Sequence, residues 1–501
     1  MPTDAPAVRR LPDQPDLDHL KGQAKSLQRG VRAADPDAVA LVRQFDRAAE
    51  TAADFALTSA QRVIARSYGF PGWSRLREHV KIINDYTRFP EPAASADESD
   101  ESDDPVILVD RFLRLATLNY TQDHVGAGGA ARDLLARRPE LAGADVYTMA
   151  ATGAADELAE ALRHSPESVD IDGGPFGWPP LLYLCYGRLG DVAGRSAIRA
   201  AQVLLDAGAD PNAGFLWHGM PSPFTALTGV FGGGEQDQPP HRHAEALARL
   251  LLEAGADPND NQALYNRSFR RSDDHLRLLF DYGLGTAVDG PWRRRLGDHY
   301  PSVTQMITEQ LRWAADAGML ERARLLLDHG VDVDGRGYHP IFGDQTPYQL
   351  AVRAGNLQLA DLLADRGADT RSIGPADLLL GACLAGDADA VRSLTRQHPT
   401  SVQQVHDRWP DAIWRAADKG RIDGVRLLLE LGFDPNVPGR FHTTALHQAA
   451  HDGRADLVTL LLAHGADPTQ LEDRFHARPS GWAEHGGHPD LARRLRAAEQ
   501  H

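Results

Sequence analysis

Apolar residues along this chain recur with the helical period, in pairs of short stripes separated by a glycine. Residues 443–468 show the unit. Leu446, Ala449 and Ala450 fall at i, i+3 and i+4, one face of a helix. Thr443 or Thr444 can cap that helix, because a hydroxyl accepts a bond from a backbone N–H that the first turn leaves unpaired. The alanines are small, so a neighbouring helix can approach closely. Gly453 stands where the helix must stop, in the left-handed conformation that glycine adopts at low cost. A second helix is predicted from near Ala455, with Leu457, Val458, Leu461 and Leu462 as its stripe. Gly465 ends it, and Ala466-Asp467-Pro468 turns the chain out. Two helices this short cannot bury both their faces, so they need copies stacked on either side.

The copies are present. The ending of the second helix recurs at residues 204–212, 251–259, 325–334, 362–370, 427–436 and 460–468, and first helices are clear at 346–355, 412–420 and 444–453. Thr444-Ala445-Leu446-His447 with Gly465-Ala466-Asp467, and Thr346-Pro347 with Gly367-Ala368-Asp369, resemble the ankyrin repeat, a unit of about 33 residues with a Thr-Pro-Leu-His start. The resemblance implies an all-α fold, an α-solenoid of stacked ankyrin-type helix–turn–helix repeats. It also implies that the loops between repeats project as fingers and, with the first helices, line a concave binding face.

In order along the chain, residues 1–88 read as an N-terminal helical module. Leu17, Leu20, Ala24, Leu27 and Val31 share a face; Asp35-Pro36 starts a second helix with Val39, Val42 and Phe45 inward; Thr58 or Ser59 caps a third; Trp73 starts a fourth. Ala60-Gln61-Arg62-Val63-Ile64-Ala65-Arg66 and Tyr68-Gly69-Phe70-Pro71-Gly72-Trp73 resemble a helical module found ahead of ankyrin arrays in actinobacterial proteins. Such a module is expected to cap the open end of the array; docking is its alternative role. Residues 89–105, rich in Pro, Ser, Asp and Glu, read as an acidic disordered linker. Residues 106–501 hold about ten to eleven repeats, with a C-terminal cap near 470–501 and an irregular stretch at 285–301.

Composition narrows the function. The net charge of −17 argues against a general nucleic-acid partner, since phosphate contacts want a basic surface. The two cysteines, Cys185 and Cys383, form neither a disulfide framework nor a metal-ligand spacing, as expected in a reducing cytoplasm. No apolar run is long enough for a membrane span and no secretory leader is visible. Arginine far outnumbers lysine and alanine and glycine are frequent, a composition that suggests a GC-rich bacterium.

Candidate chemistry is confined to the fingers, which carry surplus aromatic and histidine residues: Phe176 and Trp178; Phe215, Trp217 and His218; Tyr338 and His339; Phe441 and His442; Phe475 and His476. Phe441-His442 and Phe475-His476 fall at equivalent positions of adjacent repeats, where the ankyrin family usually has Asp-Gly, and Phe176 falls at the same position in an earlier repeat. Losing that turn chemistry calls for compensation by packing or by a ligand. The expected function is a scaffold that recognises another protein through the fingers and concave face, with exposed aromatics as anchors. The alternatives are a small-molecule binder or enzyme sited in the aromatic–histidine fingers, and a nucleic-acid-linked regulator acting through the arginine-rich first module. His447 and His451 have the spacing of a metal pair, but no third ligand is evident; the resemblance implies that His447 ties adjacent loops. No catalytic residue, cofactor or metal is assigned.

Overall fold

The computed structural model describes residues 8–46, 54–90, 104–121, 126–286 and 289–500. Most of the expected linker, residues 91–103, lies outside the described residues. Among the described residues the regular structure is almost wholly α-helical, with three short strands. The chain divides into two compact units, Met1–Val303 and Thr304–His501.

The first unit opens with α1 (Leu17–Arg32), α2 (Pro36–Phe45), α3 (Leu57–Ser67) and α4 (Trp73–Tyr86), followed by the strand β1 (Thr87–Arg88). Leu20, Ala24, Leu27 and Val31 of α1 pack with Val42, Val63, Ile64, Leu76 and Val80 in one apolar core. The third helix starts earlier than expected: its N-cap is Ala56, without a side-chain cap, so neither Thr58 nor Ser59 performs that role. Buried Asp46 receives Arg62 at 2.6 Å and Arg66 at 3.0 Å, tying α3 to the end of α2. Helical hairpins follow, among them Pro180–Cys185 with Ala197–Asp206 and Ala226–Phe231 with Ala244–Glu253. Between these two pairs lies a finger built as a hairpin, β2 (Gly214–Trp217) against β3 (Pro223–Thr225), with Phe215 opposite Phe224.

The module is seated on the finger side of the repeats. Strand β1 adds in parallel to β2, Thr87 opposite Leu216 and Arg88 opposite Trp217, and the His218 N–H donates to Arg88 O at 3.1 Å. The irregular stretch at 285–301 is the other half of the seat. Its short helix Pro291–Leu296 brings Trp292 edge-on to Tyr86, with ring centroids 5.0 Å apart.

The second unit stacks the hairpins predicted from sequence, from Pro347–Arg353 with Leu357–Asp365 to the terminal pair Pro479–His485 and Pro489–Ala498. One apolar core runs through the later pairs, from Ala376 to Leu495. Thr444 is the N-cap of Ala445–His451, and a Cβ on Gly453, at φ +69°, would meet the His488 ring at 2.5 Å, so glycine is required there. Successive turns are tied by asparagine: Asn436 Nδ2 donates to Gly465 O at 2.9 Å, and its Oδ1 accepts the Asp467 N–H at 2.7 Å. Asn212 makes the same two bonds to Gly255 and Asp257 in the first unit. The helix Val303–Ala317 is long, and a further helix, Ser401–Arg408, lies between Ala388–Gln397 and Ala412–Asp418.

Candidate functional site

In the first unit the finger aromatics point inward. Phe176, Trp178 and Phe215 are 4%, 0% and 2% exposed. Trp178 stacks on Phe215 with centroids 4.6 Å apart and touches Phe176, Tyr183 and Tyr186. Gly174 and Gly177 take the left-handed conformations of that turn, so Phe176 does not have to. Its N–H donates to the Tyr183 hydroxyl at 3.0 Å, and that hydroxyl donates to Gly173 O at 2.9 Å. Trp217 and His218 are half-buried beside β1, and Phe89 sits edge-on to His218 at 5.0 Å.

Around this seat Arg88 of the module and Arg295 meet finger carboxylates. Arg88 bonds Asp172 at 2.6 Å and Gly177 O at 2.8 Å. Arg295 lies over the Tyr86 and Trp292 rings and within 3.8 Å of Asp210. The cleft between them, about 250 Å³, is lined by Asp170, Asp172, Trp178, Asp210 and Phe215 as well as both arginines. Its arginines are already paired with two of its three carboxylates, which leaves little unspent charge to orient a ligand.

In the second unit the arrangement reverses. Phe441 is 66% exposed and Phe475 65%, and His442 and His476 beside them are exposed. Phe441 and His442 both have φ +56°, and His476 has φ +50°. A non-glycine residue in this region costs about 1–2 kcal/mol. The lost turn chemistry is compensated by hydrogen bonds, not by packing of the rings. In the Phe441 finger, Trp414 Nε1 donates to the Thr443 hydroxyl at 3.1 Å, that hydroxyl donates to Arg440 O at 2.8 Å, and the Gly439 N–H donates to Thr443 O at 2.8 Å. In the Phe475 finger, the carboxylate of Glu472, 1% exposed, accepts the N–H groups of Arg474, Phe475 and Ala477 at 2.6, 2.8 and 3.1 Å. Burial alone would raise its pKa, but these three donors outweigh it and hold the carboxylate below its ordinary range.

Tyr338 and His339 occupy an intermediate position. Both are half-buried, His339 lies against Trp313, and their N–H groups donate to one oxygen of buried Glu309 at 3.1 and 3.4 Å. Glu309 and Glu472 are the functional-shape residues that pattern reading missed. Each is an acid whose partners are backbone groups of a loop, and a period-based reading sees only a polar residue.

His447 is buried and ties two fingers. Its Nδ1 accepts the Thr444 N–H at 3.2 Å and its Nε2 donates to Ala477 O at 3.2 Å, which fixes the tautomer. His451 instead faces Trp482 and His485, and the described residues contain no group of three potential metal ligands. His241 is likewise structural: burial, then the charge of Arg188, pushes it down to about 3, and its Nδ1 accepts the His243 N–H. Burial lowers the His447 pKa as well. A histidine held neutral in the fold binds fewer protons than its unfolded counterpart below about pH 6.5, so its stabilising contribution is present above that pH and lost as pH falls. The stability advantage of wild type over His447→Gln, which cannot titrate, is therefore expected to shrink between pH 7 and 5, with a slope of up to about 1.4 kcal/mol per pH unit. Denaturant melts of both proteins at each pH measure it; a constant difference would contradict a buried neutral ring.

Stacked helical hairpins with projecting, internally braced loops define a helical-repeat fold. Residues 379–472 match the family model for ankyrin repeats in three copies, a stretch that contains the Phe441 finger, so this part of the chain is built of ankyrin repeats. Ankyrin repeats are protein–protein interaction modules. No curated protein matches the chain. Among the described residues, no helix is long and apolar enough to cross a membrane.

Proposed function

We propose that this chain is a protein-binding scaffold whose recognition surface is the finger row of the second unit, anchored by Phe441 and Phe475. The exposure of two large rings at equivalent positions of adjacent repeats carries this reading. Exposed aromatics in a braced, strained loop are typical anchors, and the rings themselves add nothing to the packing of the fold. In the first unit, Phe176, Trp178 and Phe215 are spent on the core, and the module occupies the fingers beside them. Tyr338 and His339, half-buried, form the edge of the surface. The two cysteines are buried free thiols, with Cys383 pushed up to about 12 by burial, and they support placing the scaffold in a reducing compartment such as the cytoplasm.

The test is retention of proteins from native lysate on immobilised full-length chain, comparing wild type with the Phe441→Ala, Phe475→Ala double variant. Truncating exposed rings leaves stability within about 0.5 kcal/mol, which a thermal melt verifies. An anchor contributes about 2 kcal/mol, so each truncation is expected to weaken a partner roughly 30-fold. A partner retained equally by both proteins would remove the fingers from the interface.

A further inference from the structure

We propose that the segment received by the Phe441 and Phe475 fingers is an extended, acidic peptide stretch of the partner protein, carrying apolar side chains between its carboxylates. This rests on the scaffold reading above and adds the chemistry of the ligand.

The two fingers repeat one triplet, Arg440-Phe441-His442 and Arg474-Phe475-His476. In the second, the guanidinium lies over the ring, 5.0 Å from its centroid. Both arginines are exposed, and neither makes an ion pair with any described residue. Arg336, in a finger three repeats earlier, is also exposed and bonds only a backbone oxygen, Asp344 O at 2.7 Å. The nearby carboxylates have partners other than these arginines. Glu472 is buried and filled by three N–H groups; Asp473 lies 3.4 Å from His442; Asp434 and Asp467 accept the N–H groups of Asn436 and Thr469 in their turns. Asp418 senses the charge of Arg440 but forms no ion pair with it. Arg440 and Arg474 are thus guanidinium groups beside the exposed rings that no carboxylate of the described residues pairs.

The first unit shows what a finger surface of this chain accepts when it is occupied. There the fingers present Asp172 and the occupant is an extended strand, Thr87–Arg88, that brings the guanidinium. On the second unit the sign is inverted: the fingers supply the guanidinium groups, so the occupant must bring carboxylates. Guanidinium and carboxylate pair through directed, charge-assisted hydrogen bonds. Adjacent packed helices stand about 8–10 Å apart, and an extended chain advances about 3.3 Å per residue. Equivalent points on the two fingers are therefore about three residues apart along such a chain, with the residues between them facing the rings.

The probe is a fluorescein-labelled nonapeptide, Glu-Leu-Gly repeated three times, with Gln-Leu-Gly repeated three times as its neutral counterpart. Binding to the full-length chain is read by fluorescence anisotropy. The acidic peptide is expected to bind at least about tenfold more tightly than the neutral one, and the Arg440→Glu, Arg474→Glu variant is expected to lose that preference. Added salt should weaken the acidic peptide selectively. No binding of the acidic peptide up to about 1 mM, equal binding of both peptides, or unchanged binding to the charge-reversed variant would each overturn the proposal. Tighter binding of single-stranded oligothymidine than of the acidic peptide, lost on charge reversal, would also overturn it, in favour of nucleic acid. If lysate partners are lost by Phe441→Ala, Phe475→Ala but kept by the charge-reversed variant, the scaffold reading stands and the acidic ligand falls.

Discussion

Replacing Trp178 by alanine is expected to destabilise the first unit by about 3–5 kcal/mol, the cost of removing a fully buried large aromatic. The ring is 0% exposed and is the hub of an aromatic cluster, with Phe215 stacked on it at 4.6 Å and Phe176, Tyr186 and Tyr183 at 4.7, 5.1 and 5.5 Å. Nothing nearby is free to move into the space, because Phe176 and Tyr183 are held by the hydrogen bonds of their own turn. Trp178→Phe should cost far less, below about 2 kcal/mol. The indole N–H is buried without a partner, so the smaller ring forfeits no hydrogen bond. Urea melts of the full-length chain measure both. A Trp178→Ala loss below about 1 kcal/mol would return this residue to the surface and reopen it as a contact for a partner.

That result bears on what a sequence can and cannot disclose. Trp178 and Phe441 look alike in the chain, since each is an aromatic in a glycine-containing loop ahead of a helix. Their fates differ through backbone geometry. At 174–178 two glycines absorb the left-handed turns and the aromatics fold inward; at 439–443 Phe441 and His442 must take those turns themselves, and the ring is carried outward. The strand β2 could have given a partial warning, because Phe215 and Trp217 alternate onto one face of a short strand, but its partner β1 lies far away in the chain. The helices were legible because their signals are local: the period, the threonine caps and the terminal glycines. The seat of the module was not. Residues 285–301 look irregular because Trp292 answers to Tyr86 and not to the next repeat.

The bracing acids were equally invisible, and Glu309 is the one whose loss should be felt most. Its side chain and that of Arg312 are buried together, 2.9 Å apart. Glu309 also accepts the N–H groups of Tyr338 and His339, while Arg312 donates to Gly343 O and lies over the Phe342 ring at 5.2 Å. Burial pushes the carboxyl pKa up, against the pull of Arg312, so the pair is held at a desolvation cost. Glu309→Ala leaves a buried guanidinium without its counter-charge and is expected to cost about 3–5 kcal/mol. The double variant Glu309→Met, Arg312→Met should recover most of that loss, because two apolar side chains of similar volume need no counter-charge. Glu309 Oε1 and Arg312 Nε already lack partners, so the bonds forfeited with the pair are those to Tyr338 N–H, His339 N–H and Gly343 O. Even so, the double variant still lacks the acceptor for Tyr338 and His339. Its finger amides should exchange with solvent faster than in wild type while global stability is nearly restored. Recovered stability with wild-type exchange at Tyr338 and His339 would show that the carboxylate does not brace the finger. Stability still low in the double variant would show that the ion pair itself, and not the avoidance of an unpaired charge, stabilises the unit.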